Sequence, residues 1–136
     1  MADQKLTHID EKGDVRMVDV SEKDDTKRVA VAEGFIAMHA ETLEMITSGS
    51  AAKGDVLACA RVAGVMAAKK TSELIPMCHP LLISGINCDI EELTEICAYK
   101  LTVSVKIDGK TGVEMEALTA VTVAALAVVD MVKGID

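Results

Sequence analysis

Aromatic residues are almost missing from this chain of 136 residues, which has one Phe, one Tyr and no Trp although half of its residues are apolar. The core must therefore be built from Ala, Val, Ile, Leu and Met, small side chains that let helices and strands approach closely. The length supports one hydrophobic core and excludes a second, independent one. A short chain so rich in small apolar residues commonly extends its core across a subunit interface, so an oligomer is expected.

Positive charge is scarce as well. A formal net charge of −8 excludes the basic surface that phosphate backbones require, so nucleic acid is not a partner. An anionic small molecule remains possible where lysines converge locally, and Lys53, Lys69, Lys70, Lys110 and Lys133 are the candidates. There is no C-x-x-C pair among Cys59, Cys78, Cys88 and Cys97. Scattered cysteines without a signal peptide point to reduced thiols in the cytoplasm, and neither a metal site nor a cofactor is expected. Long apolar runs are lacking too: the stretch from Leu118 to Val129 is interrupted by Thr119 and Thr122 and ends at Asp130. That falls short of the ~20 residues that span a bilayer, so a soluble protein with no membrane partner is expected.

What is present reads as an N-terminal arm over residues 1–27 and a single domain over 28–136. The arm is polar, with the charged run Glu22-Lys23-Asp24-Asp25, although Met17-Val18-Asp19-Val20 alternates. Arg28 to Met38 reads as a strand, and Glu41 to Ile46 as a short helix closed by Ser48-Gly49-Ser50. Asp55 caps a helix predicted to run to about Leu74, with Val56, Ala60, Ala63, Ala67, Val62, Val65 and Met66 as its apolar stripe, before Pro76 ends it. Leu82 to Ile90 and Ala98 to Ile107 read as a hairpin around an acidic turn at Glu91 to Glu95. Thr111 and Glu114 have capping-box spacing and predict a last helix to about Val132. The order β-α-α-β-β-α predicts an α+β ferredoxin-like sandwich, an antiparallel sheet with helices packed on one face.

Chemistry concentrates in a few places. Pro76-Met77-Cys78-His79-Pro80 sets an imidazole between two residues of fixed φ, which stiffens its backbone. It reads equally as a helix-to-strand loop whose His is only hydrogen-bonded. A Cys78–His79 nucleophile–base dyad is disfavoured, because neighbours in extended chain point to opposite faces. Gly109-Lys110-Thr111-Gly112 lacks the first glycine of a Walker motif, which would fall at Ser104. It is a strand-to-helix turn, with a phosphate at the helix N–H groups as the added possibility. Glu114 and Glu116 suit the helix dipole there. Asp130 and Lys133 share a face near the end of the last helix, as an acid–base pair or as a plain surface ion pair. Lys53 precedes a helix start, suited to an anion or simply solvated. Glu116 and Asp130 are about 21 Å apart along a helix, too far for one small substrate to touch easily, so joint action would bring in a second subunit.

Taken together, Leu6-Thr7-His8-Ile9, Met17-Val18-Asp19-Val20-Ser21, Lys53-Gly54-Asp55-Val56, Leu74 to Leu81 and Gly109 to Ala120 resemble the MoaC family in order and spacing. The resemblance runs from Leu6 to about Lys133. It implies a ferredoxin-like fold, a homo-hexamer built as a trimer of dimers with sites at subunit interfaces, and a lyase. The reaction it implies converts a cyclised dihydro-GTP, a nucleotide triphosphate, to cyclic pyranopterin monophosphate with release of pyrophosphate, an early step of molybdenum cofactor biosynthesis. By matching motif, Asp130, Lys133 and Lys53 are the catalytic residues, and Met77, Cys78, His79, Met115, Glu116, Glu114 and Lys110 bind substrate. The family pattern continues into a Gly- and Lys-rich tail that helps close the phosphate site, and this sequence stops at Asp136. A scaffold or binding module that keeps the nucleotide pocket without turnover is the competing reading.

Overall fold

The computed structural model describes residues 9, 11–22 and 24–136. Leu6, Thr7 and His8 of the first resembling block, and Lys23 of the charged run, lie outside the described residues. Three antiparallel strands form one sheet in the order β1-β3-β2: β1 is Thr26–Ala37, β2 is Ile83–Leu93 and β3 is Ala98–Gly109. Four α-helices complete the order: α1 (Ala40–Ser48), α2 (Val56–Lys69), α3 (Thr71–Leu74) and α4 (Glu114–Val132). Because β3 lies between β1 and β2, the helices after β1 make a crossover, the split arrangement expected of a ferredoxin-like chain. The fold is α+β, with the helices covering one face of the sheet.

Strict alternation on β3 decides which face that is. Tyr99, Leu101, Val103, Val105 and Ile107 are buried, whereas Lys100, Thr102, Ser104 and Lys106 between them face outward. Ala32 of β1 and Cys88 of β2 flank Val103 on the inner side. With small residues on β1 and α2, α4 can lie close to both. A Cβ on Gly34 would sit 3.3 Å from a Val121 methyl, and one on Gly64 of α2 would sit 3.3 Å from both Ala120 O and Ala124 Cβ.

Several boundaries differ from the sequence reading for identifiable reasons. The helix expected from Asp55 to Leu74 breaks at Lys70, because the Thr71 hydroxyl bonds back to Ala67 O and Ala68 O at 3.1 Å each and a separate turn, α3, follows. On α2, Val62 and Met66 are exposed rather than part of the buried stripe. Glu91 and Glu92 extend β2 instead of turning, since Glu91 pairs opposite Lys100; the turn is the short 3₁₀ segment Thr94–Ile96, with Cys97 at φ 48°. The capping box at Thr111 does not form: Val113 is the N-cap of α4, without a side-chain cap, and the Thr111 hydroxyl bonds Gly112 O. Met17 to Val20, which alternates in sequence, belongs to no strand.

α4, at 19 residues with a mean hydropathy of 1.8, is long and apolar enough to cross a membrane, contrary to the sequence reading. Its burial against α2 and the sheet accounts for that composition as a core helix.

Candidate active site

At the N-terminal end of α4 the loop after α3 and the β3–α4 turn enclose a cavity of about 290 Å³. Met77, Cys78 and His79 enter it from the loop between the two prolines, and Glu114, Met115 and Glu116 from the first turn of the helix. Six of the seven expected substrate-binding residues therefore converge. The seventh, Lys110, stands close by, its Nζ donating to Ser21 O at 3.4 Å. The Glu114 carboxylate folds back over the turn into the space that a Cβ on Gly112 would occupy, so a larger residue there would make this flexible side chain swing aside.

The sequence reading missed Val18, Val20, Arg28 and Leu81, which also line the cavity. Arg28 occupies an inward position of β1, paired with the buried Ile107, and its Nε donates to Gly109 O at 3.1 Å. An arginine in the inward phase of an otherwise small and apolar strand was the available signal. For Val18 and Val20 the signal was the alternation in the arm.

Glu116 is the buried charge of the site, 4% exposed. Burial pushes its carboxyl above the usual range and Glu114 adds to this, against a hydrogen bond from its own backbone N–H. The same environment pushes the Cys78 thiol up, through burial first and then the charges of Glu116 and Glu114. Cys78 and His79 both line the cavity, so the expectation that they face opposite ways does not hold. They form no dyad nonetheless: no hydrogen bond joins the Cys78 thiol to the imidazole, and His79 Nε2 is engaged at 2.6 Å with Val18 O.

Asp130, Lys133 and Lys53 are brought together elsewhere, at the far end of α4. Lys133 Nζ lies 3.0 Å from Asp130 Oδ1, and Lys53 Nζ donates to Asp130 O at 3.1 Å. The hydrogen bond from Lys133, then the charge of Lys53, hold the Asp130 carboxyl below its ordinary range. Both ends are exposed, a geometry in which an ion pair adds little stability. Such a cluster suits proton exchange with something that arrives from outside, and it is separated from Glu116 by about 14 helical residues, or about 21 Å. Within one chain the expected site residues thus form two separate clusters at opposite ends of one helix.

A model of the MoaC family matches residues 17–136. A protein of Desulfitobacterium hafniense is 60% identical over 132 residues, covering 97% of this chain and 80% of its own length. One from Clostridium perfringens is 54% identical over 134 residues (98% and 85%), and one from Thermomicrobium roseum 54% identical over 132 (97% and 80%). All three are named cyclic pyranopterin monophosphate synthase.

Proposed function

Because this chain belongs to the MoaC family, we propose that it performs the reaction for which its relatives are named, as a lyase-type enzyme of molybdenum cofactor biosynthesis. The observation that carries this reading is the cavity in which Met77, Cys78, His79, Glu114, Met115 and Glu116 converge. Its substrate is a cyclised dihydro-GTP, (8S)-3',8-cyclo-7,8-dihydroguanosine 5'-triphosphate, rearranged to cyclic pyranopterin monophosphate as pyrophosphate leaves. Glu116, a buried carboxyl with two acceptor oxygens, takes the N–H edge of the guanine-derived ring. Arg28, Lys110 and Lys53 offset triphosphate charge, and Asp130 with Lys133 moves protons during ring opening and pyran formation.

The two clusters are half-sites that meet between subunits. The outer face of α4 carries Leu118, Leu126 and Val129, 47%, 62% and 44% exposed, in the stretch that separates them. A two-fold axis through the middle of this stripe sets the end of one α4 beside the start of its mate and completes two sites per pair. Three such pairs make the homo-hexamer. The catalytic unit is the domain at 28–136, whose first strand begins two residues earlier, at Thr26, and the arm at 1–27 contributes Val18 and Val20 to its cavity. The acidic composition and four free cysteines suit a cytoplasmic enzyme.

Incubating the protein with the cyclised dihydro-GTP and following pyrophosphate tests the reading. Stoichiometric release with formation of cyclic pyranopterin monophosphate is expected; binding without release would leave the scaffold reading in its place.

A further inference from the structure

The segment Met17–Ser21 lies in no helix or strand, and it has no ladder of backbone bonds to hold it. Val18 and Val20 are nevertheless half-buried and line the cavity. Two side chains grip the segment by its main-chain carbonyls: His79 Nε2 at 2.6 Å from Val18 O, and Lys110 Nζ at 3.4 Å from Ser21 O. Between them Asp19 Oδ1 accepts from Ser21 N–H at 2.9 Å, closing a turn that presents both carbonyls. A carbonyl oxygen only accepts, so the His79 nitrogen facing it carries the proton. In the neutral ring Nδ1 is then an acceptor, unsuited to a phosphate oxygen.

We propose that residues 17–21 are a wall of the substrate site, in which Val18 and Val20 are specificity-determining residues and His79 is a positioning residue that acts through Val18. The proposal rests on reading the cavity as the substrate site. With Met77, Leu81 and Met115, the two valines supply the apolar share of the lining, matched to the flat faces of a purine-derived ring whose edge Glu116 takes. When the His79 tether is lost the wall is in place only part of the time. Apparent affinity then falls by that fraction while the chemistry, once substrate is seated, is unchanged.

The test compares His79→Ala with His79→Gln, whose side-chain amide can still donate to Val18 O. In the intact protein, His79 should show the ¹⁵N shift pattern of an Nε2-protonated ring. His79→Ala should speed tryptic cleavage of the Arg16–Met17 bond at least about tenfold and raise KM at least about fivefold with kcat within about twofold. His79→Gln should restore most of both, and Val18→Ala should raise KM alone. Unchanged cleavage in His79→Ala overturns the tether. Faster cleavage with unchanged KM, or a loss confined to kcat, overturns the wall. A parent protein without turnover sinks the substrate reading and the specificity role with it, while the cleavage rates still decide the tether.

Discussion

The Lys133 ammonium lies 3.0 Å from Asp130 Oδ1, one helical turn back on α4. A carboxyl held down by a cation keeps its charge further into acid, and whatever stability the pair contributes is present above the unfolded carboxyl value and lost as pH falls through the depressed folded one. Lys133→Met removes the first cause of the depression. A ¹³C titration of Asp130 in that variant should show its midpoint rising toward the ordinary value of about 3.9; an unmoved midpoint would assign the depression elsewhere. Asp130→Asn should abolish turnover with substrate binding kept, and near-normal turnover would defeat the catalytic assignment.

If each site takes Glu116 from one subunit and Asp130 from another, two dead variants can rescue each other. Asp130→Asn mixed with Glu116→Gln, after subunit exchange, should regain up to about a quarter of parental activity, because half of the pairs are mixed and each has one intact site. No recovery, with exchange verified by mass spectrometry, rules out the composite site.

Glu116 gives the opposite pH sign to Asp130. Its folded carboxyl is raised, so the unfolded chain ionises first as pH climbs and stability falls from the ordinary glutamate range, about 4.3, upward to the folded value. Glu116→Gln lacks this loss. Its Tm relative to the parent should improve between pH 4 and pH 7, read by scanning calorimetry; a constant difference would mean that burial does not perturb the group.

Which parts were legible in sequence follows from the reach of each signal. The strand composition of Ala98 to Ile107 and the cap at Asp55, whose Oδ1 accepts from Ala58 N–H at 3.0 Å, are local, and both read correctly. The break at Lys70 depends on a hydroxyl that chose Ala67 and Ala68, which spacing does not reveal. Thr111 was misread because the capping pattern specifies spacing, whereas the side chain of Glu114 folds over Gly112 instead. Arg28 and Val18 reach the cavity through contacts with residues 81 and 61 positions away, Gly109 and His79; the local alternation marks them as inward-facing but does not name those partners.

The contact between α2 and α4 has no slack at Gly64, where a methyl would meet the Ala120 carbonyl at 3.3 Å. Alanine favours helix by about 1 kcal/mol, but overpacking costs about 1–3 kcal/mol and a backbone oxygen cannot rotate away. Gly64→Ala should lower Tm by about 4 °C; a rise would mean that the helices can part at little cost.

Cys78 faces two carboxylates from a half-buried position, whereas Cys59 is exposed on α2. At pH 7.5 iodoacetamide should alkylate Cys78 at least about fivefold more slowly than Cys59, as peptide mass spectrometry would show. Preferential labelling of Cys78 would contradict the environment described for it.

α4 is a yardstick. With Glu116 near its start and Asp130 near its end, its residue count sets how far apart, and at what relative angle, one chain holds the two clusters that the proposed composite site draws from different subunits. Adding one residue between them would swing one end by about 100° and lengthen the span by about 1.5 Å, misaligning both composite sites at once. The middle of this helix can vary in side chain within the limits of packing, but not in length.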